Sequence, residues 1–399
     1  MSAKKLNIKA ELTRLKLPLV VAPMFLSSGP ELVVASCSAG VVGSFPAHNQ
    51  RTPEGFEKWI IEIKKRLAKF ESDSMIKPAP FGVNLIVHKS NAKLGDELGI
   101  CIKHKVPIII TSLGAVKDLV DKVHGYGGMV WHDVINLRHA QKAAAAGVDG
   151  LIAVSAGAGG HTGAANPFAL MKEIRSFFNG YVLLSGALSS GADIAAAQMM
   201  GADFGYMGTR FIATKEAASQ EAYKQMIVAS RQSDIISTDK LTGVNANFIQ
   251  ASLDEAGFDP SAAHEHGQMD INQELGEALE SSNSYKPWRD IWSAGHGVGA
   301  ITDIPDVEAL VNRMISEYQS ASASYFNRLK EANFKIYRVI FTRNWLLARN
   351  GPRRVNFLAG LVGFSRHTGL LTEEEKICLR LFYLMPMVPC WMWMQPQHN

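Results

Sequence analysis

The feature that most constrains the fold is an alternation of short apolar runs with longer amphipathic stretches, from the N-terminus to about residue 215. The runs are continuously apolar, which is typical of parallel strands covered on both faces. The amphipathic stretches between them include helical candidates at residues 53–70, 136–147, 166–178 and 191–202, with Gly147 as a C-cap. Eight apolar runs fit the strand pattern, at residues 17–23, 39–45, 81–87, 106–111, 128–134, 150–154, 180–186 and 204–208.

Eight strands alternating with helices predict a (β/α)₈ TIM barrel, although a doubly wound parallel sheet shares this element order. We assign residues 1–216 to the barrel core and residues 303–323 to a closing helix. Residues 217–302 are polar and break the rhythm, so we predict an inserted helical cap, or lid, over the barrel mouth. Residues 324–399 differ in character and form a C-terminal extension of unassigned role.

Composition and charge narrow the class of protein. A chain of 399 residues with 47% hydrophobic content can bury a large core. The net charge of +4 gives no indication of a nucleic-acid partner, because the basic excess lies in the extension after residue 325. The apolar segments at 355–364 and 379–394 are too short to span a bilayer, so we predict no transmembrane segment. They favour packing on the barrel or against a second copy in a homodimer, with weak contact to a membrane surface as the alternative.

The N-terminus and the cysteines indicate a cytoplasmic location. The first residues are polar and lack the features of a secretory signal. Cys37, Cys101, Cys378 and Cys390 have neither disulfide nor metal-site spacing, so we expect reduced and mostly buried thiols. No metal is predicted either, since there is no HExxH motif and the adjacent His132 and Asp133 point to opposite sides of a strand.

One histidine among four glycines follows the sixth run, in SAGAGGHTG at residues 155–163. In a barrel, the loops after the carboxyl ends of the strands carry the chemistry. Gly157, Gly159 and Gly160 would let the backbone approach a planar cofactor closely, and His161 would face the cleft. Its imidazole suits proton removal from a carbon acid or hydrogen bonding to an anionic substrate. The alternative is a tight turn with a structural histidine.

Two further loops suit a single cofactor phosphate. SGALSSG at 185–191 opens a helix after the seventh run, and MGTR at 207–210 ends the eighth. Backbone amides and a helix N-terminus at these places commonly bind phosphate. No GxxxxGK[ST] or GxGxxG motif is present, which argues against a nucleotide triphosphate or Rossmann site. The peptide N–H of Met24 and the amide of Asn84 are expected at the cofactor ring, unless Met24 is core filler and Asn84 a turn former.

These motifs together resemble the nitronate monooxygenase family, formerly the 2-nitropropane dioxygenases, which includes related flavin-dependent enoyl reductases. The resemblance covers about residues 10–322. It depends on VAPM (21–24), FGVNL (81–85), SAGAGGHTG (155–163), LLSGALSSGADIAAAQMMGAD (183–203) and MGTRFIATKEA (207–217). WRDIWSAGHGVGAI at 288–301 resembles a late motif that returns toward the flavin phosphate.

The resemblance implies an FMN-containing TIM barrel with His161 in the active site and His132 lining the substrate pocket. This sequence departs from the family pattern at three positions. Ala158 stands where an acidic residue is frequent, Ala187 replaces the second glycine of the usual Gly-Gly, and His296 stands where Gln is common. The departures bear on substrate identity. FMN contacts are implied for Ala22, Pro23, Met24, Asn84, Ser185, Gly186, Gly208 and Thr209.

The leading hypothesis is FMN-dependent oxidation of alkyl nitronates by molecular oxygen to carbonyl compounds and nitrite. An NAD(P)H-dependent reductase of an enoyl thioester or quinone on the same scaffold is the alternative. From another class, a flavin-binding or membrane-associated subunit without activity also fits the sequence. The partners implied are a small-molecule nitronate and oxygen, without nucleic acid.

Overall fold

The computed structural model describes residues 6–114, 117–260 and 288–347, with side chains to residue 330. The chain divides into two compact units, Met1–Ser322 and Ala323–Asn399. The apolar segments at 355–364 and 379–394, together with Cys378 and Cys390, lie outside the described residues. Cys37 and Cys101 are buried free thiols, as expected.

Eight parallel strands form the predicted TIM barrel, and all eight apolar runs become its strands. Around the barrel the order is β1-β2-β3-β4-β5-β6-β8-β9, where β1 also pairs with β9. A parallel bridge between Val20 and Val42 brings β1 and β2 together and closes the ring. The strands are β1 Leu19–Val21, β2 Gly43–Pro46, β3 Phe81–Ile86, β4 Ile108–Ser112, β5 Met129–Val134, β6 Gly150–Val154, β8 Tyr181–Ser185 and β9 Phe204–Met207, with β7 Gly160–His161 outside the barrel.

The helices begin where the capping residues predict. Thr52, Asn136, Asn166 and Ser190 each accept a backbone N–H with the side chain at a helix start. Such caps satisfy the amide groups that the first turn leaves unpaired. Among the described residues before the closing helix, the α-helices are α1 Ile8–Leu12, α2 Pro30–Ala39, α3 Pro53–Ser74, α4 Leu94–His104, α5 Lys117–Tyr126, α6 Leu137–Ala145, α7 Pro167–Arg175, α8 Gly191–Met199, α9 Thr209–Ile212, α10 Glu221–Ala229 and α11 Gln250–Glu255.

Two layers of core follow from the period of two along each strand. Ile110 of β4 and Trp131 of β5 belong to the cluster that fills the barrel. Their neighbours Ile109 and Val130 pack instead into the layer between strands and helices. By the same alternation Asp133 lies on the inner side of β5 and His132 on the outer side.

The insertion after the eighth barrel strand is not purely helical, so that prediction is wrong in part. Besides α10 and α11 it contains β10 Ile235–Thr238 and β11 Ala246–Ile249, which pair as an antiparallel hairpin. Strand β11 also pairs with β7, which gives a three-stranded sheet. The sequence signal for these strands is weak because each has only four residues, and β11 carries the polar Asn247 at a buried position. Residues 261–287 of the insertion lie outside the described residues.

The closing helix α12 spans Val307–Leu347 and is longer than predicted. Val307, Leu310, Val311 and Met314 are buried in the core, as an amphipathic helix on a barrel requires. The helix continues beyond residue 323, where the sequence suggested the end of the barrel. No helix among the described residues is long and apolar enough to cross a membrane.

Candidate active site

A cavity of about 520 Å³ opens at the carboxyl ends of the barrel strands. This volume lies in the range that ligand pockets usually occupy. The twelve residues that the sequence assigned to catalysis, substrate contact or cofactor contact all line this cavity. They are Ala22, Pro23, Met24, Asn84, His132, Gly159, Gly160, His161, Ser185, Gly186, Gly208 and Thr209.

The glycines before His161 make room for a second glycine-rich segment of the chain. A Cβ atom on Gly159 would lie 2.8 Å from the backbone nitrogen of Gly295 and 2.9 Å from the Thr209 hydroxyl oxygen. Gly157 has φ +90°, and a Cβ there would lie 3.1 Å from the His296 ring. The backbone N–H of His296 donates to the Gly157 carbonyl at 2.9 Å. Close packing of two loops therefore accounts for Gly157 and Gly159.

The hairpin of the insertion fixes the position of the His161 loop. β7 is held by antiparallel pairing with β11, in which His161 lies opposite Ala246. The buried Asn247 donates its side-chain N–H to the Ala158 carbonyl at 2.7 Å. On the far side the His161 ring meets Trp288 edge-on, with ring centroids 5.1 Å apart. The site histidine thus depends on residues that come 85 or more positions later in the chain.

His161 lines the cavity and contacts Trp288 with its ring. Burial lowers the pKa of its imidazole to about 4. The side chain also has solvent-exposed surface, because water reaches it through the open cavity. The depression of the pKa is therefore greatest when a ligand fills the cavity and excludes this water. With its pKa lowered to about 4, the ring is uncharged at neutral pH, so it can donate one hydrogen bond and accept another.

His132 lies at the α6 edge of the cavity. Its Nδ1 forms a hydrogen bond with the Thr111 hydroxyl at 2.7 Å. Burial lowers the pKa of His132 to about 4, and the nearby charges of His139 and Lys142 act in the same direction. His132 is therefore a neutral group that another side chain already orients.

Asp133 is a site residue that the sequence reasoning did not select. Its carboxylate Oδ2 accepts a hydrogen bond from the Ser112 hydroxyl at 2.6 Å. The Ser112 oxygen in turn accepts from the Asn84 amide at 2.8 Å. Burial raises the pKa of Asp133 to about 6. The strand alternation that puts Trp131 inside the barrel was the available signal for Asp133, but it was used only to argue against a metal.

The loop after β8 differs from the expected phosphate site. The backbone N–H groups of Ser189 and Ser190 donate to Asp193, and that of Gly191 donates to Glu317. The N-terminus of α8 is therefore satisfied by the chain's own carboxylates and cannot be the predicted anion site. What this loop offers to the cavity is the surface of Ser185, Gly186 and the residues that follow them.

Two details of the neighbouring loops also correct the sequence reasoning. The Met24 N–H donates to the buried Ser28 hydroxyl at 3.0 Å, so it is not available to a cofactor nitrogen. Arg210 of the MGTR motif turns away from the cavity and binds the carboxylate of Asp303 at 3.1 Å and the carbonyl of Ala213 at 2.7 Å. Met24 contributes to the cavity wall, whereas Arg210 is a buried structural ion pair.

The late segment 293–297 lies at the cavity, as its resemblance to a family motif implied. The Gly295 N–H donates to the Thr209 hydroxyl at 2.9 Å, and the Ser189 hydroxyl donates to the Gly297 carbonyl at 2.7 Å. These bonds connect the segment to the loops after β8 and β9. Among the described residues there is no group of three or more His, Cys, Asp or Glu side chains that could hold a metal ion.

Comparison with known proteins identifies the family. The model of a family described as nitronate monooxygenase matches residues 7–317. A nitronate monooxygenase of Paraburkholderia phytofirmans is 25% identical over 315 residues, which cover 67% of this chain and 83% of that protein. A (3aS,4S,5R,7aS)-5-hydroxy-7a-methyl-1-oxo-octahydro-1H-indene-4-carboxyl-CoA dehydrogenase of Rhodococcus jostii is 27% identical over 243 residues, which cover 61% of this chain and 65% of that protein.

Some of these matches are partial. A Mycobacterium tuberculosis protein named as a monooxygenase is matched over 61% of its length, so the chain spans less than two thirds of it and of the Rhodococcus relative.

Solved structures agree on the fold. FabK from Thermotoga maritima has 23% identity and a TM-score of 0.66, covering 82% of this chain and 100% of that one. Nitroalkane oxidase from Streptomyces ansochromogenes has 21% identity and a TM-score of 0.65, with coverage of 79% and 99%.

Proposed function

The chain belongs to the nitronate monooxygenase family, and we propose that it is an FMN-dependent enzyme that oxidises alkyl nitronates with molecular oxygen to carbonyl compounds and nitrite. The observation that carries the proposal is the gathering of all twelve expected site residues around one cavity, with His161 facing it. The nitronate monooxygenase and nitroalkane oxidase among the compared proteins support the same chemistry.

The walls of the cavity suit an elongated flavin. In the order of the barrel, β3 and β8 are diametrically opposite. The polar groups of Asn84, Ser112 and Asp133 line the β3 to β5 side, where a ring system with hydrogen-bonding edges would lie. Across the barrel, Gly186 and Gly208 present backbone to the same cavity, and Gly297 joins them from the late segment. Backbone N–H groups in such loops suit the phosphate end. FMN has both ends that this arrangement requires.

His161 then acts on the substrate. When bound, the flavin supplies the electron acceptor and the reactivity toward oxygen. Because burial lowers the pKa of His161 to about 4, its neutral ring is a weak base at physiological pH. It is better suited to donate an N–H to an oxygen of an already ionised nitronate than to remove a proton from a nitroalkane. Exclusion of water from the filled cavity strengthens that hydrogen bond.

The test is oxygen uptake by the purified full-length protein after its flavin has been identified by absorption and mass spectrometry. We expect uptake that depends on added propionate 3-nitronate. His161→Ala should lower kcat/KM by about 10²-fold. His88→Ala is the matched control, because His88 lies outside the cavity on the loop after β3. A flavin-loaded protein that consumes no oxygen with nitronates would refute the proposed reaction.

A second candidate is a reductase or dehydrogenase of a thioester on the same scaffold. The outer edge of the cavity at α6 carries the exposed His139 and Lys142, which suit a phosphorylated acyl carrier. The Rhodococcus relative is named for a carboxyl-CoA substrate. Anaerobic mixing with NADH, with NADPH and with nitronate separates the candidates, since only a reductase bleaches its flavin rapidly with a reduced nicotinamide.

A further inference from the structure

A chain of three polar side chains runs along the inner wall of the barrel mouth, across β3, β4 and β5. The Asn84 amide donates to the Ser112 hydroxyl, and the Ser112 hydroxyl donates to the Asp133 carboxylate, at 2.8 Å and 2.6 Å. All three residues line the cavity. The Oδ1 atom of Asp133 is buried and has no hydrogen-bond partner within the described chain.

The direction of these hydrogen bonds is set at the Asp133 end. An ionised carboxylate can only accept, so the single hydroxyl proton of Ser112 must point toward it. The Ser112 oxygen is then left as an acceptor, and the only group of Asn84 that can donate to it is the amide NH₂. The Ile110 carbonyl lies on the same side, 3.4 Å from that nitrogen. The oxygen of the Asn84 amide is therefore the end that remains for a ligand.

We propose that Asp133 is a positioning residue of the site: acting through Ser112, its carboxylate holds the Asn84 amide so that the carbonyl oxygen accepts a hydrogen bond from a ring N–H of the bound cofactor. The inference rests on the proposed flavin-dependent function, because Asn84 is the residue that contacts the ring. Asp133 itself acts only through Ser112 and Asn84, and it exchanges no proton with the substrate.

Two titratable side chains of the described structure bear on Asp133: Tyr206 of β9, and the adjacent His132 on the other face of β5, which is mostly neutral at the pH values used below because its pKa is about 4. Tyr206 interacts with the charge of Asp133, and burial together with that charge raises the pKa of Tyr206 well above its ordinary value. Tyr206 is therefore neutral at every pH used below. Asn84 on β3 and Ser112 on β4 carry no charge. Burial raises the pKa of Asp133 to about 6, so its carboxylate is mostly ionised at about pH 8 and mostly protonated at about pH 5. When the Asp133 carboxyl is protonated, it no longer fixes the direction of the hydrogen bonds from Asn84 to Ser112 and from Ser112 to Asp133.

The experiment is a titration of the flavin-free full-length protein with FMN, followed by flavin fluorescence and by the visible spectrum, at about pH 8 and about pH 5. The phosphate of FMN also titrates near pH 6, so the quantity to compare is the ratio of the affinities at about pH 8 and about pH 5. This ratio should be roughly 10-fold larger for the wild type than for Ser112→Ala and Asp133→Asn, the value of one charge-assisted hydrogen bond. Both variants should bind FMN about 10-fold more weakly than the wild type at about pH 8, keep only the pH dependence of the phosphate, and show a shifted visible band.

Ser44→Ala is the matched control, because Ser44 is a buried strand serine on β2 that binds the Val21 carbonyl and lies outside the cavity. It should keep the affinity and the pH profile of the wild type. Variants that bind FMN like the wild type at both pH values overturn the inference and leave the proposed function intact. A wild-type protein that binds no flavin overturns the proposed function, and this inference with it. Circular dichroism on each variant distinguishes misfolding from a specific loss of FMN affinity. General destabilisation would not by itself change the dependence of FMN affinity on pH.

Discussion

The buried carboxyl of Asp133 should make the stability of the protein fall as the pH rises. Its pKa is raised from 3.8 to about 6 by burial. Between these values the unfolded chain has lost the proton while the folded protein keeps it, so the folded state binds more protons and stability decreases with pH. A difference of about two pKa units corresponds to about 3 kcal/mol when integrated over the full range. About 2 kcal/mol of this falls between about pH 4.5 and about pH 7.5, as an upper value because cavity water screens the charge.

The measurement is urea unfolding of the wild type and Asp133→Asn at several pH values, followed by tryptophan fluorescence. The variant's advantage should grow by as much as about 2 kcal/mol over that range, whereas any constant effect of the new amide cancels in the comparison. Asp118→Asn, at an exposed position on α5, is the control and should differ from the wild type by less than about 0.5 kcal/mol throughout. A difference between wild type and Asp133→Asn that is constant with pH would refute the reasoning.

Three further substitutions test the loops around the cavity. Gly159→Ala should destabilise by about 1–3 kcal/mol and weaken FMN binding, because its Cβ would meet the backbone of Gly295 at 2.8 Å. Gly160→Ala, at φ +71° with ordinary van der Waals contacts to Trp288 and Ser293, should cost only about 1 kcal/mol, and equal effects of the two substitutions on thermal unfolding would contradict this. Ala187→Gly should stabilise by about 0.5–1 kcal/mol, because Ala187 has φ +58°, and a drop in Tm would count against it. Arg210→Ala should cost about 3 kcal/mol or more in chemical denaturation, since the guanidinium is buried on Asp303 and backbone carbonyls, and a cost below about 1 kcal/mol would disprove that role.

The barrel strands were predictable because each is a continuous apolar run, and the helix starts because Thr52, Asn136, Asn166 and Ser190 are good caps. The hairpin of β10 and β11 was not predictable, since four-residue strands that contain Ser237, Thr238 and Asn247 carry little apolar periodicity. The extent of α12 was also missed, because no glycine or proline ends the helix near residue 323.

The site residues were locatable because a barrel brings all strand ends to one mouth, so residues at those ends share a cavity whatever their distance in the chain. The hydrogen-bond partners of these residues could not be predicted from the sequence. The Met24 N–H goes to Ser28, and the α8 amides go to Asp193 and Glu317. At each of these backbone N–H groups, a ligand would compete with a nearby side chain for the same hydrogen bond. The outcome depends on distances that a strand-and-loop assignment does not contain.

The glycines around His161 show the same limit in its strongest form. From the sequence they suggest a backbone that a planar ligand approaches closely. In the fold, the absence of side chains on Gly157 and Gly159 lets Gly295 and His296 pack closely against them, although these two residues come more than 130 positions later in the chain. Two glycine-poor loops could not approach so closely, and the late segment would then not reach Thr209. The glycines therefore serve the cavity by closing its wall, and His161 gains its place from the loop that packs behind it and from the hairpin that pairs with it.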